Sequence, residues 1–200
     1  DPRKIASLQS ATIPFYEPGL AEIVQRNVKE GRLRFATDLS TGLPGSKVAF
    51  VCVGTPSLPS GAADLSQVFA AVEQIAKFDR EKRVIVIKST VPVGTGDEAE
   101  ARVRALGNDG VDVVSNPEFL REGSAVSDCL LPDRVVVGME THAHANLFRD
   151  LYKPYVRTGN PIFIMDRRSA ELSKYAGNAF LAMRIAFVNE MSRLCETLGA

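Results

Sequence analysis

The chain has 200 residues, 45 % of them apolar, and its 24 basic and 24 acidic side chains cancel to a formal net charge of zero. That length bounds one large domain, or one domain and part of another. The charge balance excludes a nucleic-acid footprint and a charged disordered tail, and no apolar run approaches the roughly 18 residues of a membrane span.

In chain order, the opening "DPRKIASLQS" reads as the end of a strand-to-helix turn and then a helix. "KVAFVCVG" (Lys47 to Gly54) is a near-continuous apolar strand. "DLSQVFAAVEQIAKF" follows as a helix with Asp64 as N-cap and Gln67 completing a capping box. Its apolar stripe is Leu65, Val68, Phe69, Val72, Ile75 and Ala76. "RVIVIKST" (Arg83 to Thr90) is a buried strand, "GTGDEAEARVRAL" a helix and "VDVVS" a strand. "RVVVGM" (Arg134 to Met139) is a strand, "HAHANLFRDLYKPY" a helix up to Pro154, and "PIFIMD" (Pro161 to Asp166) a strand. Strands so rich in Val and Ile are covered on both faces, which predicts an α/β fold: a Rossmann-like parallel sheet with helices on each side.

From about Ser169 to Leu198 only Gly177 interrupts a helical pattern, a length of about 45 Å at 1.5 Å per residue. Its middle, "AFLAMRIAFV", is apolar nearly all round and reads as a buried helix linking two domains. The expected division is residues 1–166 as a first domain and 167–200 as a connecting helix. Asp1 and the helix-like "ETLGA" ending suggest an internal piece of a longer protein. No signal peptide is expected. The three widely spaced cysteines, Cys52, Cys129 and Cys195, suit neither a disulfide framework nor zinc; they point to a reducing, cytoplasmic setting, with Cys52 and Cys195 as buried structural thiols.

Ligands of an open parallel sheet bind outside the carboxyl ends of its strands. Three such ends are unusual here. The first is "VGTPS", Val53, Gly54, Thr55, Pro56 and Ser57. The second is "KSTVPVGTG", whose Ser89 and Thr90 precede a glycine-bearing helix start able to cradle an anion or ribose through its backbone N–H groups. The third is "SNPEFLREG", which carries Glu118 and Glu122 around Phe119, Leu120 and Arg121. Gly and Pro end many strands, and two acids four apart suit a solvated helix start. The alternative is a crevice in which one acid is a base and the other orients a ligand. On the long helix, Lys174 and Asn178 share a face. Either Lys174 snorkels to the surface, or it pairs with a strand-end glutamate beside a substrate oxygen. Converging with Thr90, such a set could move protons and stabilise an oxyanion. His142 and His144 read as surface residues rather than metal ligands, and no metal site is expected. Arg167 and Arg168 read equally as a surface pair or a phosphate contact.

The stretches "IPFYEPGL", "VGTP", "KSTVPVGT", "SNPEFLREGSAV", "PDRVVVG" and "RRSAELSKYAGNAFLAMRIAFVNEMSRLCETLGA" together resemble the nucleotide-sugar dehydrogenases, the UDP-glucose branch above all. The resemblance implies an NAD domain, a long helix and a second domain. It implies two NAD-dependent oxidations at C6 of UDP-glucose, giving UDP-glucuronate through a cysteine thioester. Glu118 would be the acid/base, acting through water held partly by Thr90, and Lys174 and Asn178 would stabilise the oxyanion. Glu118, Phe119, Leu120, Arg121 and Glu122 would cradle the UDP-sugar. Lys4, Val53, Gly54, Thr55, Pro56, Ser57, Ser89, Thr90, Val91 and Glu122 would lie toward NAD. The glycine-rich phosphate loop is expected before Asp1 and the nucleophilic cysteine beyond Ala200, so the chain alone should be inactive. GDP-mannose or UDP-N-acetylmannosamine as substrate, or a non-catalytic nucleotide-binding or assembly module, are the competing readings. A homodimer through the long helix is also expected.

Overall fold

The computed structural model describes residues 1–78, 81–156 and 159–200. After α1 (Pro2–Gln9) and α2 (Leu20–Lys29) the chain alternates: β1 (Val48–Val51), α3 (Ser66–Phe78), β2 (Arg83–Ile87), α4 (Thr95–Ala105) and β3 (Val111–Ser115). Then come α5 (Ala125–Leu130), β4 (Val135–Gly138), α6 (Ala145–Tyr152), β5 (Ile162–Met165) and the long α7 (Arg167–Leu198). The α/β fold with helices on both faces is as the sequence predicts.

The strands form one sheet in the order β1-β2-β3-β4-β5. Period-two alternation divides its two faces. Ile85, Ile87, Val111 and Val113 join Val68, Val72 and Ala99 in one core under α3 and α4. Val84, Val86, Val114, Val135 and Val137 join Phe148 of α6 in the other. Each such side chain taken out of water contributes about 1.5–3 kcal/mol. β1 and β5 lie at the sheet edges, so the expected cover on both faces fails there: Phe50 and Phe163 are exposed. Cys52, two residues on from Phe50, is exposed with it, and so is Cys195 on α7, against the expectation of buried thiols.

Of the predicted stripe, Val68, Phe69, Val72, Ile75 and Ala76 are buried on α3, and Leu65 just before it is partly buried, but the capping box does not form. Asp64 receives the Ser66 N–H at 2.9 Å, while its own N–H goes to the Pro56 carbonyl at 2.8 Å and leaves nothing for Gln67.

The sheet departs from the parallel expectation at one seam. β1, β2 and β3 are parallel and β4 and β5 are parallel, but β3 meets β4 antiparallel through Ser115 and Gly138 alone. The reversal decides where α7 begins. Gly138 lies level with Ser115 and pairs with Met165, so the chain leaves β5 beside the carboxyl tip of β3. α7 then packs on β4, β3 and α4. The approach demands glycine: a Cβ on Gly138 would lie 2.6 Å from the Ala170 Cβ and 2.8 Å from the Arg167 Cα.

Candidate active site

The last three residues of β3 are buried, and Asn116 beyond it braces three elements. Its N–H donates to Ile87 O at 2.9 Å and its Nδ2 to Val136 O at 2.7 Å. Its Oδ1 accepts the Tyr152 hydroxyl. Burial pushes the Tyr152 pKa up to about 12, which keeps the phenol a donor. Braced in this way, Pro117 delivers Glu118 to α7.

There the Lys174 Nζ lies 3.1 Å from Glu118 Oε1. Lys174 does not snorkel: its side chain is 8 % exposed, against 30 % for Glu118. Phe119 lies between two cations, with Lys174 Nζ 5.4 Å and Arg134 Cζ 4.2 Å from its ring centroid. A buried ammonium of this kind costs several kcal/mol of desolvation unless it is paired, and the carboxylate and the ring face supply the pairing.

Lys88 is a third cation at this place that the sequence reading did not single out. Its Nζ reaches toward Asn116 O at 3.5 Å. Burial lowers its pKa; Cys52, Cys129 and Glu118 oppose that fall and Lys174 adds to it. The signal was available: a lysine directly follows the fully buried β2 run. Cys52 is exposed at one flank, yet desolvation raises its pKa, with Lys88 pulling the other way.

The neighbouring tips are tied together. The Ser89 hydroxyl donates to Val53 O at 2.6 Å and the Thr55 hydroxyl to Thr90 O at 2.9 Å. Those two hydroxyls fasten β1 to β2. What remains open is backbone: a Cβ on Gly54 would meet nothing within 4 Å. A flat ring or a ribose fits against such a surface, so this edge suits a dinucleotide. Pro56 and Ser57 continue it, exposed, whereas the Val91 side chain is buried in the core. Lys4 stands exposed on α1.

The anion cradle expected at the start of α4 is already filled. Glu171, 2 % exposed, accepts Gly94 N–H at 2.7 Å and Gly96 N–H at 2.8 Å, and the Ser115 hydroxyl at 3.0 Å. A carboxylate from α7 occupies the positive end of α4, so no ligand anion uses those amides. Gly96 admits it, since a Cβ there would lie 2.9 Å from Glu171 Oε1. Arg167 and Arg168 are not a free surface pair. Arg167 is buried against Asp97, Glu100 and Glu140, and Arg168 Nε lies 2.7 Å from Asp97.

The remaining site residues lie at the rim. No helix forms at 116–123, so Glu118 and Glu122 are not a helical i,i+4 pair; Glu122 and Leu120 are exposed. Arg121 is held by Asp128, with its Nη2 2.6 Å from Oδ1. Asn178, one turn beyond Lys174, is exposed rather than on a buried stretch. From Tyr175 onward every α7 residue is exposed, because no other element of the chain reaches that part of the helix. His144 Nε2 pairs with Asp112 at 2.7 Å, and His142 is exposed. Two surface clefts of about 380 and 410 Å³ lie elsewhere, beside Asp97 and Arg168 and beside Lys47 and Asp109.

A sheet whose strand tips form an open backbone edge, next to a paired acid and amine, offers the crevice in which an α/β domain takes a dinucleotide. Residues 1–156 match the UDP-glucose/GDP-mannose dehydrogenase family, NAD binding domain, and residues 168–200 match the central domain of the same family. The chain belongs to this family. It is 49 % identical over 205 residues to a UDP-glucose 6-dehydrogenase of Rhizobium meliloti (strain 1021), covering 100 % of this chain and 47 % of that protein. It is 44 % identical over 202 residues to the UDP-glucose 6-dehydrogenase TuaD of Bacillus subtilis (strain 168), covering 100 % of this chain and 43 % of the relative. A solved UDP-glucose dehydrogenase from Pyrobaculum islandicum superposes with a TM-score of 0.87 at 40 % identity, covering 96 % of this chain and 45 % of that one. A GDP-mannose dehydrogenase from Pseudomonas aeruginosa superposes at 0.88 with 30 % identity, covering 95 % and 45 %. The chain spans about half the length of the curated relatives it matches.

Proposed function

We propose that this chain is the NAD-binding part, residues 1–166, and the connecting helix, residues 167–200, of an enzyme that oxidises UDP-glucose to UDP-glucuronate. The observation that carries this reading is the Glu118–Lys174 contact at 3.1 Å, made between the tip of β3 and the start of the long helix. NAD, when bound, accepts the hydride in each of two oxidations. Val53 to Ser57 and Ser89 to Val91 present backbone to it. Glu118 takes up the alcohol proton or activates a water, and Thr90 on the adjacent tip helps to hold that water. Lys174, buried and paired with Glu118, stabilises negative charge developing on the C6 oxygen, with Asn178 one turn beyond. Phe119 and the exposed residues Leu120, Arg121 and Glu122 line the approach of the sugar. Desolvation raises the Cys52 pKa, which disfavours its thiolate as the thioester nucleophile.

The three cysteines form no disulfide, which supports a reducing compartment, the cytoplasm. Among the described residues no helix is long and apolar enough to cross a membrane. The bare apolar half of α7 supports a homodimer.

The test is NADH formation by the full-length protein. UDP-glucose should yield two NADH per sugar and should outcompete GDP-mannose and UDP-N-acetylmannosamine. A preference for either of those moves the protein to another branch of the family. No NADH with any nucleotide sugar ends the reading and leaves a non-catalytic module.

A further inference from the structure

The segment "IPFYEPGL" lies far in sequence from the strand tips, yet one of its side chains reaches them. Glu17, half-buried, accepts the Gly123 N–H on Oε2 at 2.9 Å and the Ala125 N–H on Oε1 at 2.8 Å. The backbone behind this carboxylate is rigid. Glu17-Pro18-Gly19-Leu20 closes a turn in which the Leu20 N–H donates to Glu17 O at 3.1 Å. Gly19 has φ 79° and ψ −7°, so the turn is type II, with proline and glycine at the positions that favour them. The carboxylate is therefore offered from a pre-set geometry, and ordering it costs little entropy when the clasp closes.

What it holds is the return limb of the loop that carries Glu118. The outgoing limb is fixed by Asn116 and by the Lys174 contact. The apex is fixed by Asp128, which accepts the Arg121 N–H at 2.9 Å. The Leu120 N–H turns back to Glu118. Within the return limb the Ser124 N–H donates to Arg121 O at 3.1 Å, and Glu17 is the side chain that ties Gly123, which has φ 79°, and Ala125 to the rest of the fold. The amides of Leu120, Arg121, Gly123 and Ala125 thus all end on carboxylates. A phosphate arriving here finds none of those four free, and the loop's shape, rather than its N–H groups, is what it offers a ligand.

We propose that Glu17 is a positioning residue: its two-pronged hold on Gly123 and Ala125 sets the loop that presents Glu118 and Phe119 to the sugar. This rests on the nucleotide-sugar reading above for the ligand, though not for the clasp. The experiment compares wild type, Glu17→Ala, Glu17→Gln and the exposed-helix control Glu22→Gln in the full-length protein, by amide hydrogen exchange and by NADH kinetics. Removing a charged acceptor from two amides should speed exchange in the peptide spanning residues 118–128 about tenfold or more. Exchange in β2 should be unchanged. Glu17→Gln, which keeps one acceptor oxygen, should recover part of the protection. KM for UDP-glucose should rise about tenfold while KM for NAD moves less than about twofold. Unchanged exchange at 118–128, or an equal rise across β2, overturns the clasp. Raised exchange with both KM values shifted equally overturns the positioning role. A wild-type protein that makes no NADH overturns the proposed function alone, because the exchange rates still decide the clasp.

Discussion

Two glutamates in opposite surroundings, Glu118 and Glu171, set the contrast at the scale of single residues. Glu118 is partly open and faces Lys174; Glu171 is sealed and faces three donors. The difference predicts different failures. Glu171→Ala leaves two amides and a hydroxyl unpaired in the interior and should destabilise the chain by about 3–5 kcal/mol in urea unfolding. Glu171→Gln, which turns an amide donor toward one of the glycine N–H groups, should cost about 1–3 kcal/mol. If Glu171→Ala shifts the midpoint negligibly, the carboxylate is not what holds α7 to α4. Glu118→Gln and Lys174→Met should each leave the full-length protein folded and cut kcat by at least about a hundredfold. The double variant should be little slower than the worse single one, because the pair acts as a unit. Additive losses would show that the two side chains serve separate steps. Glu118 and Lys174 were legible because charged residues interrupt apolar runs at the end of a strand and on a helix. Glu171 was not: it lies 77 residues from Gly94, and nothing in its helical neighbourhood distinguishes it from a solvated acid. Glu17 was quoted within a motif but had no readable role, since its partners are 106 and 108 residues away.

Among the elements, the first turn of α7 carries the argument, and acid is the lever that tests it. Asp166 caps the helix by accepting the Ser169 N–H at 2.8 Å. Asp97 on α4 binds Arg168 and Arg167. The Arg168 hydrogen bond, with further help from Arg167, outweighs burial and holds the Asp97 carboxyl below its ordinary value of 3.8. A carboxylate depressed in the folded state stabilises fully above its unfolded pKa, and loses that contribution as pH falls through the folded value. The docking of α7 should therefore weaken below about pH 4. In thermal melts followed by circular dichroism, the midpoint of the chain should fall between pH 5 and pH 3, and Asp97→Asn should flatten that slope. A variant as acid-sensitive as wild type would remove Asp97 from the account. The strands and the helices α3, α4, α6 and α7 were readable from apolar periodicity, whereas α2 and α5 were not; the stripe of α3 is buried from Val68 to Ala76, and Leu65 just before the helix is partly buried. The antiparallel seam was hidden, because β4 is as Val-rich as its parallel neighbours and composition carries no direction. That seam is what starts α7 at the level of Ser115 and so allows Lys174 to meet Glu118 within two turns.

For the molecule as a whole, α7 poses the remaining physical problem. Beyond Tyr175 it leaves the sheet, and Phe187 and Val188 are 61 % and 62 % exposed. The apolar residues are ordered: Phe180, Phe187 and Leu194 recur every seven positions, with Met183 three residues after Phe180 and Met191 and Leu198 four residues after Phe187 and Leu194. That spacing makes the seam of a packed helix pair. The polar side carries Glu190 and Arg193, paired at 3.2 Å. Sequence reasoning took the apolar stretch for a buried helix because it recognised the need for cover without supplying what covers it. An apolar stripe of this length is a liability in a monomer, and a second copy of the same helix offers a matching seam. The full-length protein should sediment as a dimer at micromolar concentration. Phe187→Glu, which puts a charge into the middle of the seam, should shift it to monomer with the helical circular dichroism signal retained. A wild-type monomer, or a dimer indifferent to Phe187→Glu, would mean that the stripe is covered by another part of the same protein and that α7 joins domains rather than subunits.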